Sequence, residues 1–198
     1  MAPLTGILRD FPDSGISEWL IAHVFTYDVC SPATYIAAEN VERDHPDAAC
    51  CPVLDPDSRL LWGVPEGVEA MAAEAGLPLV WPDVPPDGRR AARVAIHARD
   101  RGRGLPFALA AGRLAFGGGF DLDDDGVLAH AISAAGLDEA AALEAAGDER
   151  YDLELTATAR RACELGLALP ALEEPAARVA STASRADLKH ASIETPRR

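Results

Sequence analysis

The order of apolar and polar positions divides the chain into a β-rich start, a long helical middle and a weakly patterned end. Residues 19–27 (WLIAHVFTY) have the aromatic and β-branched composition of a buried strand. Pro32 then opens an Ala-rich segment, predicted as a helix to about Arg43, because proline is favoured in the first helical turn. Residues 1–18 are rich in Pro, Gly and Asp and are predicted to be an irregular lead-in.

Breaker residues dominate the next part of the chain. Residues 44–58 contain several Pro and Asp residues together with the pair Cys50-Cys51, and the pattern predicts a loop. Residues 66–75 have helical spacing and stop at Gly76, a typical helix end. Residues 77–86 are interrupted by proline, which excludes a central strand.

The middle of the chain, residues 88–165, is almost continuously helical in its pattern. Aspartates suit the helix starts, because a carboxylate accepts the free N–H groups there and interacts favourably with the helix dipole. Five helices are predicted: 89–99, 105–116, one from the acidic run 121–125 to Gly136, one capped by Asp138 and reaching Ala146, and one capped by Asp148 and reaching Leu165.

The pattern weakens after Gly166. Residues 167–172 and 176–180 are predicted as short strands, and residues 184–193 as a final helix. The resulting order is a strand, a helix, a block of helices, two strands and a helix, without an internal repeat.

Charge and composition exclude several classes of partner. The 198 residues carry a formal net charge of −14, which argues against nucleic acid and anionic membrane surfaces. No run reaches the roughly 20 apolar residues that a membrane span needs, and the N-terminus lacks the features of a signal peptide. We therefore expect a cytoplasmic protein with a small-molecule substrate. A homodimer is compatible with the sequence.

The four cysteines are expected to be free thiols in a reducing compartment, and none forms a C-x-x-C pair. Cys30 at the strand end is either a lone reactive thiol or, as we favour, a small buried hydrophobe. Cys50-Cys51 is predicted to be a reduced pair in a loop. Cys163 is predicted to lie in the core.

No metal is predicted. Residues 121–126 match the first half of a calcium loop, but its twelfth position is Ile132, where a bidentate Glu is required. We interpret this run as a helix start. Arg89, Arg90 and Arg93 could meet a carboxylate substrate, although a solvated helix face is the favoured interpretation.

Ser31 lies where the first strand passes into the helix that Pro32 starts. The positive end of a helix stabilises a thiolate or another anion, so a ligand could bind there. The alternative is an ordinary N-cap serine before a proline, which needs no ligand. The local sequence alone favours the alternative.

Three stretches carry a family resemblance. Residues 28–37 (DVCSPATYIA) are similar to a D-x-x-S-P-x-S-Y-x-A pattern, residues 115–138 to a helical-block pattern, and residues 162–170 to a region with a cis-proline turn. Together they resemble the DsbA-like branch of the thioredoxin superfamily, and within it 2-hydroxychromene-2-carboxylate isomerases and kappa-class glutathione transferases. The resemblance implies an α/β, thioredoxin-like fold over residues 19–198, with an inserted all-helical subdomain at about 60–165.

The same resemblance implies a site. The Ser31 hydroxyl would be catalytic, donating a hydrogen bond to the sulfur of glutathione or another small thiol and lowering the thiol pKa. A cis peptide bond between Leu169 and Pro170 would offer the backbone of Leu169 to the thiol ligand. Pro32 and Arg185, which lies in a blurred late motif, would complete the binding site. With the family pattern around it, the ligand role of Ser31 and the N-cap alternative are near parity.

Three functions stay open. The favoured one is a small-thiol-dependent isomerase or transferase. A DsbA-like thiol–disulfide oxidoreductase would have to use Cys30 alone, because Ser31-Pro32-Ala33-Thr34 replaces C-x-x-C and loses both sulfur positions. The third is a degenerate, non-catalytic binding member of the fold, suggested by the altered Pro170 turn and late motif.

Overall fold

The computed structural model describes residues 23–54, 67–83 and 87–174. A three-stranded sheet joins the two ends of this described part of the chain. Its central strand is β1 (Val24–Asp28), buried along its whole length as its composition predicts. β2 (Ala49–Val53) pairs with β1 in parallel, and β3 (Ala171–Glu173) pairs with it antiparallel. Val24 lies opposite Ala49 on one side and Glu173 on the other.

The prediction of a loop over residues 44–58 is wrong, because β2 lies within it. Cys50 and Cys51 are buried and face Phe25 and Thr26 of β1, which gives the segment the core contacts of a strand. Pro52 fits because β2 is an edge strand among the described residues, and an edge tolerates a residue without an N–H group. The breaker residues around β2 hide it from a composition-based prediction.

Seven α-helices occur in the described residues, all but the first between β2 and β3 in the chain. They are α1 (Pro32–Asp44), α2 (Val68–Ala75), α3 (Arg89–Arg99), α4 (Gly104–Gly112), α5 (Asp125–Ala134), α6 (Glu139–Gly147) and α7 (Tyr151–Leu165). The predicted start of α1 and the predicted bounds of α3 are confirmed.

Two helices differ from their predictions at one end. The predicted helix 105–116 is α-helical only to Gly112 and continues as a π-helical turn over Arg113–Gly117. The α7 helix begins at Tyr151, and the carboxylate of Asp148 accepts the N–H of Arg150 just before it, at 3.0 Å. Asp124 and Asp138 cap α5 and α6 with their side chains, as the acidic starts predict.

Helix α3 is the centre of the helical block. Its residues from Ala91 to Ala98 are all buried, and it packs against the helices α4, α6 and α7 and against the strand β2. The many alanines allow this close approach, because small side chains let neighbouring backbones come near. The block is thereby fixed against the sheet.

Several predictions lie outside the described residues: the lead-in 1–18, the strand 176–180, the final helix 184–193 and Arg185. The predicted strand 167–172 is correct only for its last two residues, which belong to β3, and residues 167–170 are not a strand. Among the described helices, none combines the length and the apolar character that a membrane crossing would require.

Candidate functional site at the start of helix α1

Ser31 occupies the N-cap position of α1, with an extended backbone (φ −98°, ψ 127°), and Pro32 follows as the first helical residue. The Ser31 N–H donates to the carbonyl of Asp28 at 3.1 Å, which closes a tight turn at the end of β1. Within the described residues the Ser31 side chain makes no capping hydrogen bond. Its hydroxyl therefore does not perform the N-cap role that the local sequence favours.

Asp28 shapes the turn before Ser31. Its carboxyl group is buried, with the residue 1% exposed, and Oδ1 accepts the N–H of Cys30 at 2.9 Å. An aspartate that accepts an N–H two residues ahead forms an Asx turn, which fixes the path of the backbone. Asp28 belongs to the pattern that carries the family resemblance, and an Asp two residues before a turn is the sequence signal for this geometry, which pattern matching alone leaves without a role.

Cys30 points away from the helix tip and into the helical block. It is buried, and its Sγ atom lies against Gly88, the N-cap of α3, which has a left-handed φ of +68°. A Cβ atom at position 88 would overlap this sulfur. The contact matches the favoured interpretation of Cys30 as a small buried hydrophobe.

The acidic run 121–125 caps helices instead of forming an ion loop. The Asp123 carboxylate accepts the N–H groups of Asp87 and Gly88, which covers the N-terminus of α3 beside Cys30. Arg90 donates to the Asp123 carbonyl at 3.2 Å and pairs with Asp125 at 2.6 Å. Among the described residues, no group of three or more His, Cys, Asp or Glu side chains is placed to hold a metal ion.

The predicted solvated face of α3 is wrong for Arg93, which is 7% exposed. Its guanidinium donates twice to Asp152, both at 2.8 Å, and once to the Ala146 carbonyl. These hydrogen bonds hold the pKa of Asp152 below its usual range. Arg89 also pairs with Asp152. Arg89 and Arg93 therefore bind a carboxylate within the helical block and do not form a site for an anionic ligand.

The Leu169–Pro170 peptide bond is cis, the isomer that the resemblance implies. Pro170 comes directly before β3, in which Ala171 lies opposite Thr26 of β1. Continuing this antiparallel register by one residue brings Pro170 beside Tyr27. Pro170 and Ser31 therefore lie at the same end of the sheet, where β1 leads into α1.

The helical block contacts α1 through α4 and the π-helical turn that follows it. Tyr35 is buried, with its ring against Gly112 and its hydroxyl beside Gly117 in the π-helical turn. Burial raises the pKa of Tyr35, and the nearby Glu39 adds to the effect. Arg113 at the start of the turn pairs with Glu39 of α1 through two hydrogen bonds of 2.6 and 2.8 Å. Such π-turns are frequent at functional sites.

The sequence pattern of one protein family covers most of this arrangement. The model of the DSBA-like thioredoxin domain matches residues 24–168, from the start of β1 to two residues before Pro170. This chain belongs to the DSBA-like thioredoxin domain family. The resemblance and the fold class that the sequence predicts are thereby confirmed.

Solved structures agree on the fold. The DSBA-like domain is similar to a 2-hydroxychromene-2-carboxylate isomerase, with 15% identity, a TM-score of 0.61, and coverage of 88% of this chain and 100% of that one. It is also similar to a probable DsbA oxidoreductase from Streptomyces coelicolor, with 18% identity, a TM-score of 0.57, and coverage of 90% and 93%. No curated protein matches the sequence significantly.

In this DSBA-like domain, Ser31 and Thr34 stand at the two sulfur positions of a C-x-x-C pattern. Thr34 is 2% exposed, and its Oγ1 atom has no hydrogen-bond partner among the described residues. From the sequence, Thr34 stands out only as a lost sulfur position. Its spacing of three residues from Ser31 is the signal that could have placed it on the same side of the helix.

The remaining cysteines of the domain lie away from the start of α1. Burial raises the pKa of Cys50 to about 12 and that of Cys51 to about 11, so neither thiol is ionised at neutral pH. The prediction that Cys163 lies in the core is wrong, because this residue is exposed. Helix α7 buries the adjacent Ala162, and one residue further turns the side chain by about 100° towards solvent.

Proposed function

We propose that this protein binds glutathione or another small thiol at the start of α1 and uses it in the isomerisation of, or transfer to, a small-molecule substrate. Ser31 is the catalytic residue, and its hydroxyl donates a hydrogen bond to the thiol sulfur. The observation that supports this most is the N-cap position of Ser31 with a hydroxyl that does not cap the helix.

The electrostatics of this position favour a thiolate. The first turn of a helix leaves N–H groups without intrahelical partners and carries a partial positive charge. A thiol held there has a lowered pKa, because its ionised form is stabilised more than its neutral form. This local field also offsets the net charge of −14, which would otherwise repel an anionic ligand such as glutathione.

The segment before β3 supplies the second half of the proposed site. Leu169 and Pro170 lie at the same end of the sheet as Ser31, since β3 is antiparallel to β1 there. A peptide-like thiol can pair with the backbone of Leu169 as an added strand does. Pro32 fixes the start of the helix without an N–H of its own. We assign Arg185 a substrate-binding role by family resemblance alone.

The structure of the start of α1 gives less support to the two other functions. A dithiol exchange has no sulfur at positions 31 and 34, and Cys30 is buried against Gly88 instead of facing the helix tip. A non-catalytic binding protein with this fold would not need a hydroxyl at position 31, so the presence of Ser31 is not explained by that function.

Calorimetric titration with millimolar glutathione tests the proposal. We expect the wild-type protein and the control variant Ser133→Ala, which changes an exposed serine of α5, to bind glutathione alike. The variant Ser31→Ala should bind it more weakly. Absence of binding to the wild type would contradict the glutathione form of the proposal, and the same titration with cysteine would then test a different small thiol. Equal binding by all three proteins would remove Ser31 from the site.

A further inference from the structure

The hydroxyl of Thr34 is an anomaly of the first turn of α1. Among the described residues, two buried side-chain polar atoms lack a hydrogen-bond partner, and Thr34 Oγ1 is one of them. Buried polar groups are almost always paired, because an unmet hydrogen bond in the interior is costly. A buried hydroxyl without a partner therefore needs an explanation.

Other threonines of this chain show what is missing. A helical threonine commonly donates to the carbonyl four residues earlier. Thr156 does so to Asp152 at 2.7 Å, and Thr158 does so to Glu154 at 3.0 Å. Thr34 makes no such bond, because Cys30, four residues earlier, lies before the N-cap and outside the helix. Its hydroxyl is thus available to a group outside its own helix ladder.

The position of Thr34 in the first turn places its side chain on the Ser31 side of α1. In an α-helix every Cα–Cβ bond tilts towards the N-terminus, and residues three apart lie on one side. The Thr34 side chain therefore extends back along α1 towards its N-cap residue. The Ser31 hydroxyl does not cap the helix, and Thr34 Oγ1 has no partner among the described residues, so the first turn of α1 carries two hydroxyls three residues apart that make no such hydrogen bonds.

We propose that Thr34 is a positioning residue for the thiol site. Its hydroxyl donates a hydrogen bond to Ser31 Oγ, and this bond orients the hydroxyl hydrogen of Ser31 towards the bound sulfur. A rotation about the Cα–Cβ bond of Ser31 brings the two oxygens together when the ligand arrives. The inference rests on the proposed function. It makes the polar pair at positions 31 and 34 a relay in which the inner hydroxyl orients the outer one.

The proposed relay predicts different effects of the Thr34 hydroxyl on the stability of the free protein and on the pKa of the bound thiol. In the free protein the hydroxyl contributes no hydrogen bond within the described residues, so replacing it by a methyl group does not destabilise the fold. With the ligand present, the same replacement frees the Ser31 hydroxyl to rotate, and the thiolate loses part of its stabilisation. A residue with only a packing role would leave the pKa of the bound thiol unchanged by this replacement.

The test compares Thr34→Val, which keeps the side-chain shape, with Thr34→Ser, which keeps the hydroxyl, and with the control Thr158→Val. The far-ultraviolet absorbance of the thiolate, followed against pH with glutathione bound, gives the pKa of the bound thiol. Thermal unfolding of the free protein gives the stability.

We expect Thr34→Val to unfold at the wild-type temperature or above, and to raise the pKa of the bound thiol towards its free value of about 8.5. Thr34→Ser and Thr158→Val should keep the wild-type pKa of the bound thiol. The relay would be overturned if Thr34→Val left the pKa of the bound thiol at its wild-type value while Ser31→Ala raised it. That result would leave the proposed function intact. No lowered pKa of a bound thiol in the wild type would overturn both.

Discussion

The sulfur of Cys30 occupies the space that a side chain on Gly88 would need. Cys30 belongs to the turn before α1, and Gly88 is the N-cap of α3, so this contact joins the candidate site to the centre of the helical block. Asp123 holds the same end of α3 through the N–H groups of Asp87 and Gly88. The geometry around Ser31 therefore depends on residues far along the chain.

We predict that Gly88→Ala lowers the free energy of unfolding by about 2–4 kcal/mol, because the left-handed backbone and the overlap with Cys30 both oppose a Cβ atom. The control Gly76→Ala has a similar φ of +67° and nothing within 4 Å, so it loses only the backbone part, about 1–2 kcal/mol. In the Cys30→Ala background the cost of Gly88→Ala should fall towards that of the control, with a remainder from the Cβ atom of residue 30, which stays 3.2 Å away. Urea unfolding gives the free energy of unfolding of Gly88→Ala, Gly76→Ala, Cys30→Ala and the double variant of positions 30 and 88. Equal costs for Gly76→Ala and Gly88→Ala would refute the contact between Cys30 and position 88.

The burial of three cysteines predicts the thiol chemistry of the native protein. Cys30, Cys50 and Cys51 are buried and Cys163 is exposed, so we expect Ellman's reagent to modify one of the four thiols rapidly. The variant Cys163→Ser should lose this rapid phase, and unfolding in denaturant should expose the other three. Rapid labelling that survives in Cys163→Ser would show that a thiol described as buried is accessible.

Stability should fall as the pH rises above about 9. The pKa of Cys50 is raised from 9.0 to about 12 and that of Cys51 from 9.0 to about 11, chiefly by burial. Between these values the unfolded chain releases protons that the folded one retains, so the free energy of unfolding decreases with pH. Burial raises the pKa of Tyr27 as well, which acts in the same direction at higher pH.

Replacing either buried thiol checks this pH dependence. In Cys50→Ala and Cys51→Ala, urea unfolding between pH 9 and 11 should give a shallower decline of the free energy of unfolding than in the wild type, whatever the change at neutral pH. An unchanged slope in both variants would mean that these thiols ionise alike in the folded and unfolded states.

Asp152→Asn should cost about 2–3 kcal/mol at neutral pH, because it leaves the buried guanidinium of Arg93 without its negative partner. The control Asp148→Asn removes the partner of Arg150, whose side chain is 89% exposed, and should lose far less. Since the pKa of Asp152 is lowered, this contribution is present above its ordinary pKa and is lost as the pH falls through the lowered value. Equal losses in the two variants, measured by urea unfolding, would contradict the role of burial.

Local chemistry made much of the fold predictable. Pro32 marks the first residue of α1, and Asp124 and Asp138 cap helices in the acidic segments where the sequence predicts helix starts. These features depend on a few neighbouring residues, and a single sequence contains that information. The position of Ser31 between β1 and α1 follows from the same local rules.

Features that depend on distant contacts were not predictable in this way. β2 is a strand because Cys50 and Cys51 pair with β1, although its neighbours are typical of loops. Arg93 is buried because Asp152, 59 residues later, provides its partner. The unmet hydroxyl of Thr34 emerges only from the packing around it, since its spacing from Ser31 gives its place in the first turn but not whether its hydroxyl finds a partner.

The pKa of a bound thiol tests the central claim most directly. Glutathione is titrated with pH in the presence of the wild-type protein and of Ser31→Ala, and the absorbance of the thiolate is followed. We expect the wild type to lower the pKa of the bound thiol below its free value of about 8.5, and Ser31→Ala to return it towards that value. A bound thiol with the same pKa in both proteins would contradict the assignment of Ser31 as the group that stabilises the thiolate.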